Sequence, residues 1–322
     1  MNQRIHRIFY ITILTAGKEI TMRFAVILFL LAGALQAEEI KRPAWNWYGG
    51  WKIKTESASI VHTPKTWPKL VRTVPLKADT LYQCSFSYLA PEGGLHCRGG
   101  KNSVALPAQK TFAPAKIYFK TDGDGKAELS WYTEGSLPYS AEVKDISVEA
   151  FDGEKHAVKL DFDNDPGPFP VAFSRHVRWM RDGGDELGTL TVVSAADHID
   201  GGKAMRLKWD SENPPERINA VSMPVPVIPG KVYRVGGWFK ADHDGKAQII
   251  VDGGWQKGLE HWVKFNNFTV SPEWQHRSFE IEVPTAEKIV QLQSGVLTLS
   301  IGLFCGGSRE LDVKGITWEF VR

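Results

Sequence analysis

Apolar and polar residues alternate along many short segments of this 322-residue chain, and turn residues separate the segments. The clearest example begins at Tyr233, because every second residue from there to Phe239 falls on one face while Trp238 falls on the other. After the N-terminal region no segment keeps a helical period over three turns. The pattern therefore predicts an all-β fold built from short strands.

The segment around Tyr233 occurs twice in the sequence. Residues 74–90 align without a gap with residues 225–241. The identical pairs are Val74 with Val225, Pro75 with Pro226, Tyr82 with Tyr233 and Ala90 with Ala241. A second anchor closes each copy, because residues 143–149 resemble residues 313–319. A repeat at this distance predicts two copies of one domain and not a solenoid of short repeats.

The two copies define the predicted domain organisation. Many short alternating strands favour β-sandwiches, so we expect two tandem β-sandwich domains, at residues 38–151 and 158–322. The mostly polar residues 152–157 form the predicted linker between them. Alternation gives each sheet one buried face and leaves its other face free for water or a ligand.

Residues 1–37 are typical of a leader with a secretory signal peptide. Arg23 precedes an apolar run of about ten residues, and the small residue Ala37 stands at the expected cleavage point. The run is shorter than the roughly 20 apolar residues of a membrane span, and we expect translation to start at Met22. The sequence thus predicts an exported protein, secreted or held at the cell surface or in the periplasm, with no integral membrane segment in the mature chain.

The charge balance argues against one class of partner. Residues 1–37 hold four basic residues and one acidic residue, which leaves 35 basic and 36 acidic residues in the mature chain. A nucleic-acid or anionic-membrane partner needs a clear basic excess, so we expect neither.

Three cysteines are too few for a disulfide scaffold. Cys84 and Cys97 lie in the same copy, and in an exported protein they either bridge neighbouring strands or remain two buried thiols. Cys305 has no obvious partner and is predicted to be a core residue.

Five motifs of the second copy occur in the order of a known family. They are residues 160–163, 201–207, 229–233 with Trp238, 271–275 and 311–319. With these motifs the copy resembles the jelly-roll carbohydrate-binding modules of the four/nine superfamily, whose fold is galactose-binding-like. The resemblance covers nearly all of residues 158–322, whereas the first copy keeps only the central and terminal strands. It implies noncatalytic binding of a polysaccharide or oligosaccharide on a concave sheet face or at loop tips.

The resemblance also implies a structural calcium between the opening and closing strands. Asp163 stands at the position of the opening acid, whereas Lys314 and Gly315 replace the acidic pair expected in the terminal strand. The alternative, which we favour, is that Asp161, Asp163 and Asp165 form a solvated turn.

Aromatic residues are the candidate sugar contacts, because sugars need flat apolar faces and planar polar groups beside them. Twelve tryptophans are many for this length, and two clusters hold most candidates. The candidates are Trp45, Trp47 and Trp51 in one cluster, Asp252, Trp255, His261, Trp262 and Asn266 in the other, and Trp238 in the repeated strand. Phe265 and Asn267 also lie in the second cluster. Trp238 lies opposite the Tyr233 face, so it faces either a ligand or a covering loop. For any one tryptophan the alternative is packing inside the sandwich.

Catalytic motifs are missing from the sequence, which has no G-x-S-x-G, no H-E-x-x-H and no phosphate loop. Acidic pairs such as Asp182 and Asp185 suit glycoside hydrolysis in principle, but surface loops usually carry such charges. We therefore predict a glycan-binding protein that is not an enzyme. One alternative is a structural or adhesive surface protein that uses its sandwiches for protein contacts, and another is a glycan-active enzyme.

Overall fold

The computed structural model of the protein describes residues 69–322 with six short gaps, together with five short strands before residue 69. The gaps are residues 93, 133–139, 177–187, 212–215, 255–259 and 286–288. Of the predicted leader, the structure describes only two short strands. Trp45 and Trp255 also lie outside the described residues. Residues Ala37–Arg322 form one compact unit.

Strands make up nearly all of the regular structure. In the first half they are β1 (Leu14–Thr15), β2 (Lys18–Glu19), β3 (Asn46–Tyr48), β4 (Trp51–Ile53), β5 (Ser57–Val61), β6 (Lys69–Pro75), β7 (Leu81–Ala90), β8 (Leu95–Gly99), β9 (Asn102–Leu106), β10 (Gln109–Lys120), β11 (Lys126–Tyr132) and β12 (Ser140–Ala150). In the second half they are β13 (Val158–Leu160), β14 (Phe173–His176), β15 (Gly188–Ser194), β16 (Lys203–Trp209), β17 (Arg217–Ser222), β18 (Val225–Pro226), β19 (Val232–Ala241), β20 (Gly245–Asp252), β21 (Val263–Val270), β22 (Gln275–Glu282), β23 (Val296–Phe304) and β24 (Glu310–Phe320), with one short helix, α1 (Val290–Gln293). Among the described residues no helix has the length and apolar character needed to cross a membrane.

Four antiparallel sheets form two β-sandwiches. In the first sandwich the strand orders are β10-β7-β12-β5-β4 and β3-β6-β11-β8-β9. In the second they are β22-β19-β24-β16-β15 and β14-β17-β23-β20-β21, with β13 added beside β24 and β18 beside β23. Each strand of the first sandwich thus has a counterpart at the same place in the second. The predicted all-β fold of two β-sandwiches is confirmed.

Two tyrosines at equivalent places support the predicted repeat. The Tyr82 hydroxyl in β7 accepts a hydrogen bond from the backbone N–H of Lys77 at 3.0 Å. The Tyr233 hydroxyl in β19 accepts one from the backbone N–H of Ile228 at 2.9 Å. Both rings are buried, so each tyrosine fixes the turn that leads into its own strand.

The closing strands β12 and β24 share a β-bulge. Their pairing registers shift next to Asp145 and Gly315, and both residues have positive φ, 54° and 59°. A left-handed backbone is easiest for glycine and is tolerated by aspartate, which suits the residue types found at this position. The bulge therefore lies at the same place in both repeated segments, residues 143–149 and 313–319.

Each sandwich has its own apolar core, and the two cores meet at one end. Tyr118 from β10 packs in the core of the second sandwich, while Val171 packs in the core of the first. Gln109 Nε2 donates a hydrogen bond to the carbonyl of Phe169 at 3.1 Å, which joins the sandwiches again. The exact boundaries given above for the two domains stay a prediction.

The structure distinguishes between the alternatives that the sequence left open for the cysteines, and it corrects the prediction for one acidic residue. Cys84, Cys97 and Cys305 are buried free thiols, and burial raises the pKa of each.

The favoured interpretation of a solvated turn is wrong for Asp165, which is 5% exposed. Its Oδ2 accepts a hydrogen bond from the Val171 N–H at 3.2 Å, and burial raises its pKa to about 6.

Candidate functional site

The candidate site lies on the outer face of the β14-β17-β23-β20-β21 sheet. Ile249 is fully buried in the core, so its neighbour Gln248 belongs to the opposite face of β20. The registers of β17, β23, β20 and β21 place Asn219, Gly302, Gln248 and Asn267 one after another across this face. We call Asn219, Gln248 and Asn267 the polar row.

Hydrogen bonds join the polar row to a neighbouring arginine. Arg217 donates from Nη1 to Gln248 Oε1, and Gln248 donates from Nε2 to Asn267 Oδ1. Asn219 and Gln248 are 6% and 3% exposed, so packing holds their planar amides in place. Asn219 Oδ1 is buried and accepts no hydrogen bond from any residue that the structure describes. An unpaired buried acceptor is costly, and it leaves one hydrogen-bonding position of the row unused.

Gly302 makes room for two members of this arrangement. A Cβ atom at its position would lie 2.5 Å from Asn219 Oδ1 and 3.1 Å from Arg217 Cδ. Any larger residue would therefore push one or both of these side chains aside. The glycine is needed for a close approach here, and not for an unusual backbone conformation.

An apolar strip runs beside the polar row. The next positions across the sheet are Val221, Ser300, Ile250 and Phe265. Phe265 is 56% exposed, which is unusual for a large apolar side chain of this protein. Phe265 and Asn267 are two residues apart on one face of β21, or about 7 Å along the strand. The face thus offers an exposed ring next to fixed amides.

The end of the face next to Arg217 is cationic. The guanidinium carbon of Arg217 lies 5.8 Å from the centre of the Phe304 ring. Phe304 is the cross-strand partner of both Arg217 and Lys246, so the three residues lie side by side. Burial lowers the pKa of Arg217, and the nearby charge of Glu216 opposes that shift, but an arginine stays charged at neutral pH.

The opposite end of the face holds two of the predicted sugar contacts. Asp252 Oδ1 accepts a hydrogen bond from the Gly254 N–H at 2.8 Å and lies 3.1 Å from His261 Nε2. Trp262 follows in the chain but is half-buried, and it packs against the core of the second sandwich. The structure thus brings Asp252 and His261 together, and their contact with a sugar stays a prediction.

Asn266 is not part of the polar row. It is the cross-strand partner of the core residue Ile249, so it lies on the face of β21 opposite to Asn267. Its Nδ2 is buried and has no hydrogen-bond partner in the described part of the chain. Asn267, which belongs to the same sequence cluster but is not one of the predicted contacts, is the asparagine that reaches the candidate site.

Trp238 lies on the other sheet and is half-buried below a loop. Its ring contacts the rings of His198 and His276, with centroids 4.9 and 5.3 Å away. The loop with His198 is held in place by Asp197, whose Oδ1 accepts a hydrogen bond from Trp274 Nε1 at 3.2 Å. Of the two alternatives for Trp238, the structure supports the covering loop.

The first aromatic cluster adds little to the site. Trp47 and Trp51 lie in β3 and β4, and their side chains are outside the described part of the structure, as are Trp45 and Trp255 altogether. The tryptophans with described side chains are all buried or half-buried: Trp131, Trp209 and Trp318 are buried, and Trp238, Trp262 and Trp274 are half-buried. The sugar contacts predicted for Trp45, Trp47, Trp51 and Trp255 stay predictions.

The surroundings of Asp163 do not fit a calcium ion. Asp163 Oδ1 accepts a hydrogen bond from the Lys203 N–H at 2.7 Å and lies 3.6 Å from the ammonium nitrogen of Lys314. The Lys203 N–H and the Lys314 charge lower the pKa of Asp163. A calcium ion bound to this carboxylate would meet the like charge of a largely buried ammonium group. Among the described residues no three His, Cys, Asp or Glu side chains come together to hold a metal.

Five residues of the candidate site were not among the predicted contacts. They are Arg217, Asn219, Gln248, Phe265 and Asn267. Alternation along β21 could have placed Phe265 and Asn267 together, because they are two residues apart in one strand. The other three lie on β17 and β20, and only the sheet register brings those strands to β21.

Comparison with known proteins gives likenesses of fold. No protein-family model and no curated protein matches the sequence. Among solved structures, the chain is similar to the tandem CBM22-1–CBM22-2 domain of Xyn10C from Paenibacillus barcinonensis, with 10% identity and a TM-score of 0.38 over 86% of this chain and 94% of that one.

Two further solved structures are of the same kind. The CBM22-1–GH10 modules of Clostridium thermocellum endo-1,4-β-D-xylanase 10B, complexed with xylohexaose, match with 16% identity and a TM-score of 0.36 over 52% of this chain and 29% of that one. A structure described as CBM4 structure and function matches with 12% identity and a TM-score of 0.33 over 52% of this chain and 97% of that one. Carbohydrate-binding modules are thus among the solved structures to which the chain is similar.

Proposed function

We propose that this protein is a noncatalytic glycan-binding protein whose second sandwich binds a polysaccharide or oligosaccharide across the polar row. One observation carries the proposal: fixed amides, an arginine and the exposed ring of Phe265 share one outer sheet face. This combination is what a sugar requires, because its hydroxyls need planar polar groups and its C–H face needs an aromatic ring.

The unused acceptor of the polar row supports the same proposal. Asn219 Oδ1 is buried and without a donor among the described residues, so a sugar hydroxyl that reached it after a small movement of the side chain would remove the cost of an unpaired acceptor. Gln248 and Asn267 are already fixed by hydrogen bonds, so a ligand would find them in place and lose little entropy in ordering them. Asp252 and His261 then provide further polar contacts at the far end of the face.

Export and noncatalytic action belong to the same proposal. The signal-peptide pattern of residues 1–37 supports a protein that is secreted or held at the cell surface or in the periplasm. The near-neutral charge of the mature chain favours a glycan over a nucleic acid as the partner. On the face itself, Asp252 is engaged by a backbone N–H and by His261, which suits binding better than the paired carboxylates of glycoside hydrolysis.

Affinity electrophoresis of the mature protein in gels that contain soluble polysaccharides tests the proposal. We expect retention by at least one polysaccharide, and its loss in the variants Phe265→Ala and Asn267→Ala. Phe169→Ala is the matched control, because Phe169 is also a half-exposed phenylalanine but lies away from the polar row. Unchanged retention in both site variants, or no retention on any polysaccharide, would overturn the proposed function. Release of reducing ends from a bound polysaccharide would show an enzyme instead.

A further inference from the structure

We infer that the glycan bound by this face is anionic, with a carboxylate or sulfate group of the sugar chain held by Arg217. The inference rests on the proposed function and adds the chemical class of the ligand. It depends on the position and burial of a single guanidinium group that has no ion pair among the described residues.

Arg217 is half-buried, and most of its donors are unused. Of its five N–H groups, only one makes a hydrogen bond to a residue that the structure describes, and the acceptor is the neutral Gln248. In that same part of the chain no carboxylate forms an ion pair with Arg217, although Glu216 precedes it in sequence. The other contact of the guanidinium is the face of the Phe304 ring.

A second arginine of this sandwich shows what a comparable group does when it has a structural role. Arg206 is also half-buried, and it donates from Nε and Nη2 to the two carboxylate oxygens of Asp312 at 2.6 and 2.7 Å. Its Nη1 lies 3.0 Å from Glu310. Arg206 is therefore paired on both sides, whereas among the described residues no carboxylate lies within ion-pair distance of Arg217 and Glu216 acts on it only through its charge.

Taking a guanidinium partly out of water has a cost, which an anion at short range offsets only where its geometry matches that of the guanidinium. The planar fork of Arg217 fits the two oxygens of a carboxylate or sulfate, which a neutral hydroxyl cannot match in charge or geometry. Gln248 contacts the fork through one hydrogen bond and Phe304 through its ring, so the other donors remain available to a ligand on the sheet face.

The charges around Arg217 favour the same class of ligand. Lys246 lies two strands away on the same line across the sheet, on the far side of Phe304. The carboxylate of Asp252 is at the other end of β20, six residues or roughly 20 Å away. Glu216 is the nearby acid, and it is exposed and precedes β17. An anionic group at the Arg217 end would thus meet two cations on the sheet face, while the hydroxyls of the same sugar chain lie over the polar row.

Binding constants of the mature protein for three kinds of polysaccharide test the inference. The probes are polygalacturonate for carboxylate, dextran sulfate for sulfate, and hydroxyethyl cellulose as a neutral polymer. We expect binding to a charged probe to weaken roughly ten-fold to a hundred-fold in Arg217→Gln, and by less in Arg217→Lys, which keeps the charge without the fork. Raising NaCl from about 0.05 M to about 0.5 M should weaken binding by the wild type more than by Arg217→Gln.

Arg234→Gln is the matched control, since Arg234 lies on the other sheet and its exposed guanidinium pairs with Glu280. Binding of either charged probe that depends on Arg217 supports the inference, and the stronger probe identifies the anion. Binding of the neutral polymer alone, lost in Asn267→Ala but kept in Arg217→Gln, would overturn the inference and leave the proposed function intact. Equal losses in Arg217→Gln and Arg234→Gln would also overturn it, because the effect would then be one of net charge.

Discussion

Tyr233 allows one hydrogen bond of the second sandwich to be tested with little other change. Its ring is 1% exposed and stacks on Trp318, with centroids 4.7 Å apart and planes 7° from parallel. Its hydroxyl accepts the hydrogen bond from the Ile228 N–H at 2.9 Å. The variant Tyr233→Phe keeps the ring and its stacking, and it removes only the acceptor.

The exposure of the donor sets the size of the effect. Ile228 is half-buried, so its N–H is only partly able to find water, and we expect a loss of about 1–2 kcal/mol in the free energy of unfolding. Tyr82→Phe is the matched variant in the first sandwich. The hydrogen bond there is also partly buried, but its donor belongs to the exposed residue Lys77, so water replaces the lost partner more easily and we expect a loss of about 0.5 kcal/mol or less.

Urea unfolding at pH 7, followed by tryptophan fluorescence, measures both variants, and a second series at alkaline pH isolates the hydroxyl. Burial raises the pKa of Tyr233 to about 12, whereas an unfolded tyrosine ionises near pH 10. The wild type therefore loses stability as the pH rises from about 10 to about 12, and Tyr233→Phe lacks this contribution. Equal losses for the two variants at pH 7, or an alkaline loss of the same size in Tyr233→Phe, would refute the reasoning.

Three further predictions concern the site, a buried acid and the metal. Gly302→Ala should displace Asn219 or Arg217 and weaken glycan binding, while the melting temperature stays within about 4 °C of the wild type, because the nearest atom belongs to a side chain that can move. The wild type should lose stability as the pH rises from about 4 to about 6, because the folded chain still holds the proton of the Asp165 carboxyl group and the unfolded chain has released it. Asp165→Asn should not show this loss, and melting temperatures at pH 4, 5 and 7 would measure the difference. Calcium chloride and EDTA should leave the melting temperature unchanged, because Lys314 faces Asp163; a rise with calcium would contradict this.

The strands of this protein could be predicted because apolar and polar residues alternate along each of them. Alternation places Tyr233 and Phe239 on one face of their strand, and both residues are buried in the core. The repeat was visible for the same reason, since β7 and β19 carry the same alternation and the same turn-fixing tyrosine. Burial of Asp165 was missed, because a short run of acids before a proline has the composition of a solvated turn, and only the packing of both sandwiches covers it.

The candidate site could not be predicted in the same way, because it depends on how distant strands pair. Asn219, Gln248 and Asn267 lie in β17, β20 and β21, and β23 separates the first of these strands from the other two. A shift of one residue in any pairing would move a side chain of the row to the other face of the sheet. The distinction between Asn266 and Asn267 is of this kind, since both are asparagines and only the register assigns one to the core.

The number of tryptophans is a weak signal for a binding site, for a physical reason. A large aromatic ring gains most by burial, and Trp131 and Trp318 are accordingly at most 1% exposed. A more informative signal is a lone amide inside an apolar strand, such as Gln248 between Ala247 and Ile249. A buried amide is costly unless it is hydrogen-bonded, so its presence implies a polar partner on the same sheet face. For Gln248 the partners are Arg217 and Asn267, and following them leads to the candidate site from a single residue of the sequence.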